Sequence, residues 1–339
     1  MVIPRRHLIR TFGLTAIGTQ LLPIAQSHLL PKSQTTILPR RLQVGDTVAL
    51  INPAAFSYEK EIQPFFKAAA QLGLKVKVGK HFYDRYGYLA GKDADRAADV
   101  NSAFADSSVQ AIFTGMGGWG CGRILPLLDY NMIRDNPKII IGFSDVTALL
   151  LAINTKTNLV TFHGPLGVSN WSSFTVDYFK QVLFDAGAVT LQNPQKMDIE
   201  TIGQGQARGK LFGGNLSVIS TMIGSAYLPD WENSILFIEE VSEEVYRIDR
   251  MLTQLKLAGI LDKISGFIFG QCTSCEAEKP KESLTLTQVL SDHIRPLRIP
   301  AWYGSAIGHI RDKFTLPIGH EVEIDANYGT IRLLASAVN

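Results

Sequence analysis

Residues 139–146 read IIIGFSDV, running from Ile139 through Gly142 and Ser144 to Val146. The apolar run predicts a buried strand, and the helical spacing over 146–154 predicts a helix directly after it. A strand that passes through a tight turn into a helix is the repeating unit of parallel α/β sheets. Ser144 therefore falls at the carboxyl edge of a predicted parallel sheet, where α/β proteins build their sites.

The same alternation of strand and helix continues on both sides of this stretch. Further strands are predicted in GDTVALINPAA after Val44 and at 75–78, 109–113 and 138–141. Helices are predicted at 58–72, 94–104, 124–130 and 146–154. We therefore expect a parallel-sheet α/β domain over residues 40–170.

The second half of the chain has a different pattern. It loosens between 167 and 209, which we interpret as a crossing segment over 171–207. Beyond it, GKLFGGNLSVISTMIGS predicts a strand that leads into a helix, and 234–240 predicts a buried strand. A helix at 246–258, a strand at 264–270 and short strands over 314–334 follow. We expect a mixed, β-rich domain over 208–339, without internal repeats.

Composition narrows the class of protein. The chain has 339 residues, with 33 Lys+Arg against 31 Asp+Glu. A net charge of +2 argues against a nucleic-acid binder. Three cysteines exclude a disulfide scaffold and a four-cysteine zinc site. Cys272 and Cys275 form a lone C-x-x-C without a thioredoxin-like context, which favours a local disulfide or two free thiols.

The first 35 residues resemble a targeting segment rather than part of the fold. Arg5 and Arg6 precede a mildly apolar stretch over 14–24 and then small and polar residues. This layout is typical of a twin-arginine export signal, which predicts an exported, periplasmic protein. The alternatives are an amphipathic helix that stays attached and a cytoplasmic protein. No apolar run is long enough to predict a membrane span.

Ser144 is a candidate nucleophile. The backbone amide of Asp145, at the start of the predicted helix, points toward any oxyanion formed when Ser144 attacks an acyl group. The turn resembles a nucleophile elbow, but Val146 stands where the G-x-S-x-G pattern has its last glycine. The alternative is that Ser144 or Asp145 only caps the helix.

The glycine-rich stretch Gly115-Met116-Gly117-Gly118-Trp119-Gly120 allows three interpretations. It formally matches the dinucleotide fingerprint G-x-G-x-x-G, but it does not follow the first strand. Its amides are equally suited to approach a substrate, as the second half of an oxyanion hole. The third interpretation is a close backbone crossing that needs glycine.

Two kinds of acid–base residue lie elsewhere. Glu239 and Glu240 end a buried strand, where a carboxylate either orients a histidine or leads the chain into water. His309 lies in a predicted loop beside Gly308 and is a candidate general base or a solvated loop residue. His163, in FHGP, is a second candidate, with a structural or site-lining role as the favoured interpretation.

Taken in order, these motifs resemble the LD-carboxypeptidase family of serine peptidases, which includes the microcin C self-immunity peptidase. The stretches that carry the resemblance are GDTVALINPA, MGGWG, IIGFSDVTALL, FHGPLG, GKLFGGNLSVISTMIGS, ILFIEEVSEEVYRIDRMLTQL, GILDKISGFIFG and GHIRDKFTLPIG. Together they cover nearly all of residues 41–334. The resemblance implies an α/β N-terminal domain and a β-rich C-terminal domain, with the site in the cleft between them.

The resemblance also implies the residues of the site. Ser144 would be the nucleophile, Glu239 rather than Glu240 the acid, and His309 the base. The oxyanion donors would be the backbone amides of Asp145 and Gly118. The candidates for lining the substrate cleft are Gly117, Trp119, His163 and Asn215.

The implied reaction is hydrolysis of the amide before a C-terminal D-amino acid, with D-alanine released from a murein tetrapeptide. The resemblance implies no metal or cofactor, and it implies a homodimer. The sequence leaves open which murein peptide is used, or whether a microcin-like peptidyl-nucleotide takes its place. Met116 stands where the family often has an arginine, so binding of the substrate carboxylate is expected to differ.

Three other classes remain as alternatives. A nicotinamide oxidoreductase would explain the glycine-rich stretch, but it needs an acidic residue after the next strand to hold the ribose. A non-catalytic envelope peptide-binding protein would explain two domains and a cleft. An ordinary α/β-hydrolase esterase shares the order of nucleophile, acid and base, but it requires glycine at position 146.

Overall fold

The computed structural model describes residues 35–339, so the predicted export signal lies almost wholly outside the described residues. The strands are β1 (Thr47–Ile51), β2 (Lys75–Val78), β3 (Val109–Thr114), β4 (Ile139–Gly142), β5 (Thr161–His163), β6 (Thr190–Leu191), β7 (Glu200–Gly203), β8 (Gln206–Asn215), β9 (Ile235–Val241), β10 (Gly266–Thr273), β11 (Ala301–Tyr303), β12 (Leu316–Ile318), β13 (Glu321–Asp325) and β14 (Thr330–Leu333). The helices are α1 (Gln63–Gln71), α2 (Asp93–Ala105), α3 (Cys121–Ile124), α4 (Tyr130–Asp135), α5 (Thr147–Thr157), α6 (Ser173–Leu183), α7 (Leu216–Met222), α8 (Val245–Leu257) and α9 (Leu286–Ile294).

Two sheets organise these elements. The first has the order β12-β5-β4-β3-β1-β2, and its strands β1 to β5 run parallel. The second has the order β6-β14-β13-β8-β9-β10-β11-β7, with β8 to β11 parallel and the flanking strands antiparallel. The parallel α/β sheet and the mixed β-rich sheet confirm the predicted fold class.

Helix α5 links the two sheets. It follows β4 of the first sheet and also packs on β8 of the second sheet and on α7. Its central residues are accordingly apolar on all sides of the helix. Residues 148–153 of α5 are fully buried, as are Ile139 to Ile141 of β4. A helix that is apolar all round is one buried in a protein core. The turn between β4 and α5 is therefore held between the two sheets.

The structure corrects the helix predicted at 124–130. Helix α3 ends at Ile124, a 3-10 turn follows over Leu125–Leu127, and α4 begins at Tyr130. Pro126 lies in that turn and cannot donate a backbone hydrogen bond, so the helix cannot continue through it. Asp129 then caps α4, with its Oδ1 accepting from the Met132 amide at 3.0 Å.

Two parts of the chain cross the predicted domain limits. The predicted crossing segment contains α6, β6 and β7, and both strands join the second sheet. Strand β12, from the predicted C-terminal domain, pairs antiparallel with β5 at the edge of the first sheet. The exact domain boundaries stay a prediction. Within residues 35–339, no helix combines the length and apolarity that crossing a membrane requires.

Candidate active site

Ser144 lies on a strained turn at the carboxyl end of β4. Its φ of 62° is left-handed, which costs a non-glycine residue of order 1–2 kcal/mol. Gly142 lets the end of β4 pass close to the Thr114 side chain, because a Cβ at position 142 would lie only 2.2 Å from Thr114 Oγ1. The turn thus presents the Ser144 side chain at the sheet edge, as the sequence predicts.

Three side chains form a hydrogen-bonded series. His309 Nε2 lies 3.1 Å from Ser144 Oγ, and His309 Nδ1 lies 2.8 Å from Glu239 Oε2. Glu239 is fully buried in β9, whereas the side chain of His309 is 23% exposed. The series therefore runs from a buried carboxylate, through the imidazole, to a hydroxyl beside the solvent.

His309 is held in place from several sides. Thr273 Oγ1 donates to the His309 carbonyl at 3.1 Å. The ring of Phe143 meets the imidazole edge to face at 4.8 Å between centroids. Gly308 has a φ of +110°, and a Cβ there would lie 2.7 Å from Glu239 Oε2. Glycine is therefore required for the loop to bring the imidazole against the carboxylate.

The glycine-rich loop lies directly against Ser144. A Cβ on Gly117 would lie 2.9 Å from Ser144 Cβ, and Gly118 has a φ of +100°. The Gly117 carbonyl accepts from the Ala55 amide at 3.0 Å, which ties the loop to the segment after β1. This geometry agrees with the interpretation of a close backbone approach that needs glycine. Donation by the Gly118 amide to an oxyanion stays a prediction.

Asp145 contributes to the frame of the site through its side chain. Its Oδ2 accepts from the Cys121 amide at the start of α3, at 2.8 Å. Burial raises the pKa of this carboxyl, and the hydrogen bond from Cys121 opposes the rise. The Asp145 amide lies in the first turn after the strand, where backbone N–H groups have no acceptor within the helix. Its role as an oxyanion donor stays a prediction.

The two adjacent glutamates have different surroundings. The Glu240 carboxylate accepts from the Ser217 amide at 2.7 Å, from Asn215 Nδ2 at 3.0 Å and from its neighbouring Val241 amide at 2.9 Å. Burial raises its pKa. Glu240 therefore fastens α7 to β9, whereas Glu239 points to His309.

The predicted lining residues divide into three settings. Asn215 is buried and caps α7, with its Oδ1 accepting from the Val218 amide at 3.1 Å. His163 is buried beneath the site between Phe143 and Phe237, and burial lowers its pKa to about 4. Trp119 is 63% exposed. Contact of these residues with a substrate stays a prediction.

Lys313 is a neighbour of the site that the sequence did not reveal. It is buried, its ammonium lies 5.1 Å from the centroid of the Phe143 ring, and it donates to the Ile310 carbonyl. Burial lowers its pKa to about 8, although the charge of Glu239 opposes this shift. Its position four residues after His309 is the one sequence signal that could have found it.

Two further groups bear on ligands and redox state. Cys272 and Cys275 form a disulfide at the end of β10, which agrees with one of the two predicted states. Among residues 35–339, the His81, Asp84 and Asp95 side chains bring potential metal ligand atoms within 4.8 Å of one another. His81 Nδ1 is already paired with Asp84 Oδ2 at 2.8 Å. Neither group supplies an atom to the series of Ser144, His309 and Glu239.

A hydroxyl, an imidazole and a carboxylate in series form an arrangement typical of hydrolytic enzymes that attack acyl groups. The site and the fold thus define a hydrolase of the α/β class. Comparison with known families makes this specific. The LD-carboxypeptidase N-terminal domain matches residues 48–164, and the LD-carboxypeptidase C-terminal domain matches residues 208–324. The chain belongs to the LD-carboxypeptidase family, and it is therefore a peptidase.

Named relatives agree with this assignment. The chain is 40% identical over 286 residues to the probable murein peptide carboxypeptidase of Bacillus subtilis (strain 168), covering 83% of this chain and 89% of the relative. It is 31% identical over 324 residues to the microcin C7 self-immunity protein MccF of Escherichia coli, covering 85% and 95%. The resemblance stated from the sequence is confirmed.

Solved structures share the fold over most of this chain. The MccF-like protein from Bacillus anthracis str. Ames superposes with a TM-score of 0.81 at 27% identity, over 88% of this chain and all of that one. MccF in complex with glutamyl sulfamoyl guanosine gives a TM-score of 0.79 at 28% identity, over 89% of this chain and 99% of that one. Two-domain α/β architecture is thus common to this chain and these proteins.

Proposed function

We propose that this chain is a serine carboxypeptidase that hydrolyses the amide before the C-terminal D-alanine of murein tetrapeptides. The observation that carries the proposal is the hydrogen-bond series from Ser144 through His309 to Glu239. The carboxypeptidase names of the relatives support the peptide substrate. The terminal D-amino acid is the specific part of the proposal and rests on the family resemblance.

The geometry supports a two-step acyl transfer. The Ser144 hydroxyl attacks the carbonyl carbon of the scissile amide, and His309 Nε2 takes its proton. Glu239 accepts from the protonated His309 Nδ1, which holds that tautomer and stabilises the imidazolium. The amides of Asp145 and Gly118 donate to the oxyanion.

His309 then returns the proton to the leaving nitrogen, so that the D-amino acid departs with a neutral amine and Ser144 keeps the acyl group. Water repeats the sequence against the acyl-enzyme, with His309 as base, and frees the shortened peptide. The strained turn at Ser144 keeps its hydroxyl aligned with the imidazole throughout.

The test is hydrolysis of a synthetic tetrapeptide ending in D-Ala by residues 36–339, followed by amino-acid analysis. A matched tetrapeptide ending in L-Ala tests the stereochemistry. We expect release of D-Ala alone, and a loss in kcat on the order of 10⁴–10⁶ for Ser144→Ala. Ser291→Ala, in α9, is the control and should keep full activity.

The outcomes separate the competing classes. A chain that binds the tetrapeptide without cleaving it would be the non-catalytic binding protein. Equal activity of Ser144→Ala and the unchanged chain would remove the proposed nucleophile. Cleavage that does not distinguish D-Ala from L-Ala would keep the mechanism and reject the stereochemical part of the proposal.

A second candidate is hydrolysis of a peptidyl- or aminoacyl-nucleotide. The observation that favours it is the close fold match to MccF, which has been solved with glutamyl sulfamoyl guanosine and with aspartyl sulfamoyl adenosine. Competition between such a nucleoside and the D-Ala tetrapeptide would rank the two substrates. Export through residues 1–35 and formation of a homodimer remain further proposals of the family resemblance.

A further inference from the structure

A cavity of about 490 Å³ lies beside the glycine-rich loop. Its walls include Ala55, Phe56, Arg85, Tyr88, Met116 and Trp119. Met116 and Trp119 flank the two glycines of the loop, and Gly117 touches Ser144. The Ala55 amide donates a hydrogen bond to the Gly117 carbonyl, which joins the cavity wall to the glycine that lies against Ser144. A substrate that reaches Ser144 across this loop can therefore extend into the cavity.

Arg85 brings the positive charge of this cavity. Its guanidinium carbon lies 4.1 Å from the centroid of the Phe56 ring, and its Nε donates to the Gly87 carbonyl at 3.4 Å. Within residues 35–339, no carboxylate lies within 4 Å of Arg85, although nine other arginines and lysines have a carboxylate at that distance. The stacking contact holds the guanidinium plane without neutralising its charge.

The acidic residue of the same cavity is already engaged. Glu61 Oε2 accepts from the Tyr58 amide at 2.8 Å. The remaining walls are aromatic, and Tyr88 and Trp119 meet edge to face at 5.8 Å between centroids. They are 58% and 63% exposed, so their faces are open to a ligand. The cavity thus joins an unpaired cation to exposed aromatic surface, which suits a short peptide that carries a carboxylate.

We propose that Arg85 binds a carboxylate of the peptide substrate and so determines specificity at this site. The inference rests on the proposed function, because it assumes that a peptide lies across Ser144. Two carboxylates of a lysine-type murein tetrapeptide have the required chemistry: the C-terminal one, and the free α-carboxylate of its γ-linked glutamate. Bidentate pairing with a planar carboxylate is the contact that arginine makes and lysine does not reproduce.

The experiment combines three peptides with three chains. The peptides are the lysine-type D-Ala tetrapeptide, its C-terminal amide and its glutamate α-amide. The chains are the unchanged protein, Arg85→Ala and Arg85→Lys. Arg250→Ala is the matched control, since Arg250 in α8 is also an exposed arginine beside an aromatic ring, 5.2 Å from the Tyr246 centroid, and it does not line the cavity.

We expect Arg85→Ala to lower kcat/KM for the tetrapeptide by about 10–100-fold, mainly through KM. Arg85→Lys should recover only part of this loss, and Arg250→Ala should change nothing. The loss should vanish with one of the two amides, which identifies the carboxylate that Arg85 binds. A loss of equal size with all three peptides, or no loss at all, would overturn the proposal.

Binding of the same peptides to Ser144→Ala, with and without Arg85→Ala, separates this inference from the proposed function. Calorimetric binding needs no turnover, so a carboxylate-dependent loss of affinity would sustain the role of Arg85 even if no D-Ala is released. Absence of binding by all three peptides to Ser144→Ala would overturn it.

Discussion

Contact between Gly117 and Ser144 makes a glycine part of the candidate site. A methyl group on Gly117 would lie 2.9 Å from Ser144 Cβ and 3.1 Å from its Oγ. Neither atom can move far, because Ser144 is held on a turn with positive φ and its Oγ is hydrogen-bonded to His309 Nε2. The side chain that must move is the proposed nucleophile.

Gly117→Ala is therefore expected to lower kcat by about 100-fold or more, because small displacements of reacting groups have effects of this size. The circular dichroism spectrum should not change. Gly122→Ala is the matched control, since a Cβ there meets nothing within 4 Å. Full activity of Gly117→Ala would show that the loop is more yielding than its contacts indicate.

Protonation of His163 can be followed through the free energy of unfolding, without a substrate. Burial lowers its folded-state pKa to about 4, against 6.5 for a free histidine. Between these values the unfolded chain binds a proton that the folded chain does not. The free energy of unfolding therefore falls as the pH is lowered from 6.5 toward 4.

His163→Phe should remove this contribution and flatten the pH dependence by up to about 1.4 kcal/mol per pH unit within that window. Phenylalanine is suitable because Phe143 and Phe237 already surround the ring. Urea unfolding at a series of pH values measures the difference. Parallel curves for the two chains would mean that His163 titrates normally in the folded state.

Strand β9 assigns different tasks to its two glutamates. Successive side chains of a strand point to opposite faces, so Glu239 and Glu240 cannot face the same partner. Glu239 meets His309, whereas Glu240 accepts three donors and fastens α7. One carboxylate therefore belongs to the proposed chemistry and the other to the framework.

Paired substitutions separate these tasks. Glu240→Gln places an amide donor against existing donors, and we expect the free energy of unfolding to fall by about 1–3 kcal/mol. Glu239→Gln should lower kcat by about 10⁴, in line with triad carboxylates elsewhere, and leave the unfolding curve closer to that of the unchanged chain. The assignment fails if the activity loss follows Glu240 instead.

Local pattern predicted most elements, while contacts between distant parts of the chain lay beyond it. The strands β3, β4 and β9 were evident from buried apolar runs, and the turn at Ser144 from the change in period. Which glutamate faces the imidazole came from the resemblance, because the strand pattern does not say which face is buried against what. Strands β6 and β7 are short edge strands with little apolar signal. Pro126 marked a helix break that the helical spacing concealed.

The site residues outside the motifs depended on the folded chain. Lys313 is buried beside the site because of how the loop after β11 packs, and the two residues before it, Arg311 and Asp312, are charged. Arg85 lines a cavity beside the glycine-rich loop because of how the segment after β2 packs. Both positions arise from contacts across 30 or more residues of sequence, which periodicity cannot encode.

At the scale of the whole molecule, the first and last parts of the described chain are hydrogen-bonded to each other. The Arg41 amide donates to the Asn339 carbonyl, and the Asn339 amide to the Pro39 carbonyl, both at 2.9 Å. Ala337 and Val338, just before, are buried. The last residues therefore join the core instead of trailing from β14.

Deletion of residues 337–339 should lower the free energy of unfolding by about 2–4 kcal/mol, from lost apolar burial and two backbone hydrogen bonds. Activity per folded molecule should persist, because the hydrogen bonds of residues 337–339 go to residue 336 and to residues 38–41, not to the series of Ser144, His309 and Glu239. Thermal unfolding and an assay at low temperature test the two statements separately. An unchanged unfolding midpoint would show that this closure contributes little.

The position of β12 has a consequence for how the protein is made. A ribosome delivers all five parallel strands of the first sheet by residue 163, including the strand that leads to Ser144. The strand that covers the β5 edge, and the two residues that would activate the serine, are translated much later. A nascent chain therefore carries its proposed nucleophile beside an open strand edge, which needs protection from pairing with other chains. On the proposed mechanism, hydrolysis needs His309, so a growing polypeptide that has not reached residue 309 lacks the base for attack on peptides around it.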